Sequence, residues 1–140
     1  MSSYRFIVPL EVRYDDLDPQ GHVNNARHLT FFEQARIQYL INLGLFATGQ
    51  SYMDMGLIIA EARVTYLAPV YFGQDVRVGT RTTRLGDKSL TVEHTLFDGA
   101  TGVELATAST VLVAYDYRAE KSMPLPDEWR EKIMAFEGLE

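Results

Sequence analysis

The run YDDLDPQGHVNN crowds Asp15, Asp16, Asp18, His22, Asn24 and Asn25 into a few turn-forming residues, and an aromatic-rich stretch, ARHLTFFEQARIQYLINLGL, follows at once. A carboxylate serves as a general base or a nucleophile. The first turn of a helix offers N–H groups without partners and the positive end of the helix dipole. Brought together, the two suit attack on an ester or thioester, whose carbonyl oxygen gathers negative charge as it reacts. If Asn24 or Asn25 caps the helix, the amides of Asn25 and its neighbours face the loop carrying Asp18, across Pro19 and Gly21. The same residues have a plainer reading. Aspartates ahead of a helix commonly cap it or close Asx turns, and Gly21 supplies a positive φ. Asp15 and Asp16 suit a turn-forming or solvated role better than a catalytic one.

The elements that must position these residues follow from hydrophobic spacing. Phe6, Val8, Leu10 and Val12 alternate, as one face of a strand does, with Pro9 suited to an edge. Leu29, Phe32, Ala35, Ile37, Leu40, Ile41 and Leu43 recur at threes and fours, predicting an amphipathic helix that stops at Gly44. Beyond Gly56 the period becomes two. Four β-rich segments follow, LIIAEARVTYLAPV, QDVRVGTRTTRLG, KSLTVEHTLFD and GVELATASTVLVAYDY, joined by turns at YFGQD, LGD and DGATG. Such short joints predict antiparallel neighbours. The segment PLPDEWREKIMAFEG reads as a short helix entered through Pro126 and capped by Asp127. One long helix cannot cover both faces of five strands. The expected architecture is α+β: a curved five-stranded antiparallel sheet wrapped around one long central helix, plus a short C-terminal helix, with open edges that favour a dimer. Residues 1–140 read as a single domain.

Composition narrows the chemistry. With 46% hydrophobic and 23% charged residues the chain is globular, and with no cysteine it has neither thiol nucleophile nor disulfide. A net charge of -6 argues against nonspecific nucleic-acid binding. Arg5, Pro9, Glu11 and Arg13 interrupt any signal-peptide layout, and no run approaches the roughly 20 apolar residues of a membrane span, so a cytoplasmic protein without membrane partners is expected. His22, His28 and His94 lack metal-ligand spacing with Asp16 and Asp18, so no metal site is expected. There is neither a phosphate-cradling glycine loop nor a G-x-S-x-G elbow.

The stretch YDDLDPQGHVNNARHLTFFEQAR resembles the hotdog-fold acyl-CoA thioesterases, in particular the 4-hydroxybenzoyl-CoA thioesterase-like branch. That pattern runs D-x-D-x-x-G-H-V-N-N into an aromatic helix carrying Glu and Arg, and Asp16, Asp18, Gly21, His22, Val23, Asn24, Asn25, Glu33 and Arg36 supply it. Downstream, ARVTYLAPVYFGQDVRVGTRTTRLGDKSLTVEH and PLPDEWREKI extend the likeness over nearly the whole chain. The resemblance implies a hotdog fold and hydrolysis of an acyl-CoA, or of an acyl-carrier-protein thioester, by a homodimer or a dimer of dimers with no cofactor beyond the CoA of the substrate. It makes Asp18 the nucleophile or the general base, and the Asn25 backbone N–H the group that polarises the carbonyl. His22, Val23 and Asn24 would shape the approach of the thioester. Arg84, Lys88 and Ser89 would meet the nucleotide phosphates of CoA.

Charge counting lends the phosphate role some support, since five cations (Arg63, Arg77, Arg81, Arg84, Lys88) stand against three anions (Glu61, Asp75, Asp87) between residues 61 and 88. Solvated strand faces account for the same count. His28 departs from the family, which often has an aromatic hydroxyl there. Glu33 reads as a second catalytic carboxylate or, preferred here, as a helix residue tying the loop. Phe46 to Leu57 is expected to line or lid the acyl pocket, ordinary core packing being the alternative. Two other functions stay open. A hydratase or dehydratase on this fold would pair His with a carboxylate in a D-x-x-x-x-H arrangement, which Asp18–His22 and Asp16–His22 do not match. A noncatalytic acyl-CoA sensor would lack the carboxylate or carry a DNA-binding appendage.

Overall fold

The computed structural model describes residues 4–139, so the first three residues of the N-terminal reading lie outside it. Strand β1 (Phe6–Leu10) is followed by a 3-10 turn (Tyr14–Asp16) and helix α1 (Arg27–Asn42). Then come β2 (Leu57–Tyr66), β3 (Val76–Leu85), β4 (Ser89–Asp98), β5 (Glu104–Asp116), the two-residue β6 (Lys121–Ser122) and helix α2 (Asp127–Glu137). The five long strands are antiparallel in the order β1-β3-β4-β5-β2, and β6, which the sequence did not announce, pairs with β5. Both β1, with its exposed Pro9, and β2 are edges. The turn at YFGQD is not a hairpin: β2 lies against β5, and residues 67–75 carry the chain past the end of the sheet to β3.

One face of the sheet holds α1. Phe31, Phe32 and Ala35 pack on Val76 and Val78 of β3, Leu96 of β4, and Ala106 and Ala108 of β5. Burying a ring such as Phe32 contributes roughly 1.5–3 kcal/mol. A second cluster, Leu90, Val92, Leu112 and Ala114, lies under Ile133 of α2 and Leu125. Register slips between Ile59 and Glu61, Thr82 and Arg84, and Leu96 and Phe97 bulge three strand pairs. Bulges sharpen twist, which lets a sheet wrap a helix.

Helix α1 ends as its sequence predicts. Gly44 (φ 77°) follows the last turn, its N–H donating to Ile41 O and that of Leu45 to Leu40 O, a Schellman closure that a residue with Cβ would strain. Both helix starts differ from expectation. The boundary residue of α1 is Ala26, in helical conformation, because the Asn24 side chain already accepts from Ala26 N–H (2.9 Å), closing an Asx turn before the helix begins. At α2 the boundary residue is Pro126, and Asp127 is the first helical residue, where its charge faces the dipole without capping.

The two helices and the sheet are stapled at Tyr39. Its hydroxyl donates to the Glu137 carboxylate and bonds Thr82 Oγ1 (2.9 Å), while Thr82 N–H also donates to Glu137 (2.8 Å). Burial and the adjacent carboxylate push the phenol well above its usual value, so it stays a donor.

Candidate active site

The loop between β1 and α1 is built on Asp16. Its carboxylate, 4% exposed with the residue, accepts from Arg13 N–H (2.8 Å) and meets Arg27 Nη1 (3.4 Å), and its carbonyl accepts from Asn24 N–H (2.8 Å). This is a structural clamp, in line with the turn-forming reading. The next turn closes between Asp18 and His22: Asp18 N–H donates to His22 O (2.9 Å) and Gly21 N–H to Asp18 O (3.0 Å), with Gly21 at φ 86°. Asp18 divides its carboxylate. Oδ1 accepts from Gln20 N–H (2.9 Å), and Oδ2 faces His22 Nδ1 at 3.9 Å, so one oxygen orients the group and the other stays open for chemistry.

Val23, 1% exposed, anchors the loop by donating its N–H to Val70 O (2.7 Å). Asn25 follows with its carbonyl held by the Tyr66 hydroxyl (2.8 Å). The Asn25 N–H donates to no described residue, whereas the neighbouring amides of Asn24 and Ala26 are both spent. Beside it opens a cavity of about 280 Å³ walled by His22, Val23, Asn25, His28, Tyr66 and the segment Leu67 to Val70. Larger grooves exist on the outer sheet face, beside Tyr4, Arg63 and Arg81 (about 410 Å³), and between β1 and α1 (about 420 Å³). Of these three, the smaller cavity is the one that Asn25 lines. Tyr66 was not foreseen. Its signal was the run VTYLAPV, an aromatic at the very end of a strand, which has no meaning until β2 is known to end at the start of α1.

His28 is buried beneath Tyr66, with ring centroids 4.8 Å apart and planes nearly perpendicular. Desolvation lowers its pKa against weaker support from the Asn24 and Asn25 carbonyls, which keeps the imidazole neutral near pH 7. Its Nδ1 lies 3.4 Å from Asn24 O, and its Nε2 is buried with no partner among the described residues. Among the described residues Glu33 makes no hydrogen bond to the loop; it is exposed and lies 3.8 Å from the buried Arg36. Among the described residues, no three His, Asp or Glu side chains gather in a metal-binding cluster.

Not every expected site residue comes near. Arg84, Lys88 and Ser89 sit at the β3–β4 hairpin. Asp18 follows the end of β1 that pairs with Val76, so the ten-residue length of β3, about 30 Å, separates the two groups within one chain. The segment Phe46 to Leu57 starts at the far end of α1 and meets α2 through a cavity shared by Phe46, Gln50 and Trp129, so it does not line the cavity at Asn25.

The sequence and the fold have counterparts. The sequence model of the thioesterase-like superfamily matches residues 12–133, and the chain belongs to that family. Its fold is the hotdog thioesterase fold. A thioesterase from Thermus thermophilus solved with coenzyme A and zinc is similar, with 37% identity, a TM-score of 0.85, and 99% of this chain and 98% of that one covered. The long-chain acyl-CoA thioesterase FadM of Escherichia coli is 27% identical over 124 residues, 89% of this chain and 93% of its own. A 1,4-dihydroxy-2-naphthoyl-CoA hydrolase from Thermosynechococcus vestitus is 30% identical over 118 residues, 83% and 80% of the two chains.

Proposed function

We propose that the protein hydrolyses acyl-CoA thioesters, with Asp18 acting at the carbonyl carbon, as nucleophile or through water, and the Asn25 N–H binding the carbonyl oxygen. The observation that carries this reading is the unspent Asn25 amide at the mouth of a cavity, a few residues from a carboxylate with one open oxygen. As the carbonyl carbon becomes tetrahedral its oxygen takes up charge, and a fixed N–H strengthens its bond at that moment, which is the form of binding that lowers a barrier. Val23 and Asn24 act by holding that amide: one pins the loop to Val70, the other closes the turn into α1. The names of the relatives support CoA as the carrier.

The reading needs a second copy of the chain for the nucleotide. Strand β2 is an open edge with Ile59 (46% exposed), and Tyr66 (44%) and Leu67 (53%) end it. Its Tyr66 end lies at Asn25. Its Leu57 end lies at Ala114, whose N–H bonds Lys88 O. Antiparallel pairing of two β2 edges sets the Tyr66 end of one copy beside the Leu57 end of the other. Arg84, Lys88 and Ser89 of the second copy then stand at the cavity end of the first, as phosphate contacts for a bound CoA.

The test is thiol release from short, medium, long-chain and aromatic acyl-CoAs by wild type and Asp18→Asn. The reading expects release from at least one ester, with the variant slower by roughly 100-fold or more while still binding substrate. Equal rates for the two proteins would remove Asp18 from the chemistry. Binding without any release would leave a sensor.

A further inference from the structure

We propose that His28 is a positioning residue for the reaction, holding and polarising the peptide group whose N–H receives the thioester carbonyl. The inference rests on the thioesterase reading above and deepens it. The Asn25 N–H belongs to the same peptide unit as the Asn24 carbonyl, and the two ends of that unit share electrons through the planar C–N bond. A group that donates to the Asn24 oxygen therefore acts on the Asn25 N–H.

Two donors meet that oxygen. One is the Arg27 N–H at 2.9 Å, supplied by the backbone of the first helical turn. The other is the imidazole of His28, with Nδ1 at 3.4 Å. A carbonyl oxygen only accepts, so this contact puts the ring proton on Nδ1. The opposite nitrogen agrees. Nε2 is buried with no partner among the described residues, so a proton there would be a donor without an acceptor, and Nδ1 would turn a lone pair on the carbonyl. Burial keeps the imidazole neutral, with a single proton to place. The ring is held from outside by Tyr66, which crosses it at 4.8 Å, and by Phe31 at 6.3 Å. Tyr66 also donates to the Asn25 carbonyl (2.8 Å). The peptide units on both sides of the Asn25 Cα are thus braced by side chains from two different elements, which fixes the direction of the N–H.

The His28 contact matters most while the carbonyl reacts. As the substrate oxygen takes up charge it draws on the Asn25 N–H. Electron density then moves through the peptide unit onto the Asn24 oxygen, and donors to that oxygen bind more strongly. A contact that is long in the resting protein tightens at that moment. An interaction that strengthens only in the transition state raises kcat and leaves KM almost alone.

The measurement is kcat and KM for wild type, His28→Asn, His28→Gln and His28→Leu on the acyl-CoA cleaved fastest. The Asn amide nitrogen can stand where Nδ1 stands, the Gln amide reaches the place of Nε2, and Leu donates nothing. His28→Gln and His28→Leu should lose about tenfold in kcat with KM within about twofold, and His28→Asn should keep kcat within about threefold of wild type. A packing role predicts instead that Asn, the smallest, loses most. That order, equal losses in all three, a change confined to KM, or no loss overturns the role of His28 and leaves the thioesterase reading intact. Wild type that cleaves no acyl-CoA overturns both. Nitrogen-15 NMR of the ring in wild type gives a second reading, which decides if the variants misfold. It should show the proton on Nδ1, and a proton on Nε2 overturns the inference whatever the kinetics.

Discussion

His94 shows how the sheet face around α1 restrains a titratable group. It is 1% exposed, stacked on Phe32 (5.1 Å), and bonded through Nδ1 to Thr80 Oγ1 (3.0 Å), with its Nε2 buried and without a partner among the described residues. Burial, reinforced by the Arg36 charge, lowers its pKa to about 3. The folded protein therefore leaves this ring unprotonated where the unfolded chain, near 6.5, takes up a proton. The resulting stability is fully present above pH 6.5 and is lost as pH falls toward 3, at about 1.4 kcal/mol per pH unit. Urea unfolding at pH 7 and pH 4.5 should show wild type losing more stability than His94→Leu, by roughly 2–3 kcal/mol. Matching losses would mean that this imidazole does not drive the acid response. Nothing in the sequence marked His94 as buried, because alternation assigns a face to a residue and not the groups that cover it. The loop aspartates were legible as turn-formers, since Asp16 accepts from Arg13 N–H and Asp18 from Gln20 N–H.

Elements were legible where one physical rule acts alone. Val76 and Val78, or Leu90 and Val92, alternate because one face of the sheet is dry, and Gly44 ends α1 because the chain must turn left-handed there. The start of α1 was harder to read, since Asn24 and Asn25 are both good caps and only the fold shows Asn24 satisfying Ala26 ahead of the helix. Pairing was hardest. Nothing local tells β2 to choose β5 over β3, and the bulges that bend the strands leave no composition signal. The staple of α2 was equally hidden, as Tyr39, Thr82 and Glu137 lie far apart in the chain. Replacing Tyr39 by Phe keeps the ring contacts with Phe6 and Phe136 but removes the donor from Glu137. It should cost roughly 1–3 kcal/mol, read as a lower urea midpoint with an unchanged m-value. An unchanged midpoint would show that water replaces the phenol without loss.

At the scale of the whole molecule, the site and the open edge are one problem. Tyr66 closes β2 and its hydroxyl holds the Asn25 carbonyl, so the edge strand and the proposed carbonyl-binding residue touch. Placing a charge on that edge by Ile59→Lys disfavours pairing with a second copy. Light scattering should report a smaller particle than wild type, and KM for acyl-CoA should rise about tenfold or more as the second copy's cations depart. Unchanged mass would dismiss β2 as the interface. Among the described residues no helix is long and apolar enough to cross a membrane.

The strand order also sets an order in time. Strands β3, β4 and β5 are joined by tight hairpins and can form from local contacts, but β1 must find β3 across α1 and β2, as Phe6 opposite Thr80 shows, and β2 must reach over β3 and β4 to lie on β5. Closing long loops slows folding, so both outer strands belong to the late steps. Until β2 docks, the free side of β5 offers its backbone to any passing strand, including β2 of another newly made chain. The topology that leaves the finished protein an open β2 edge therefore gives the folding chain a moment of risk, when exchange of β2 between copies competes with its proper closure.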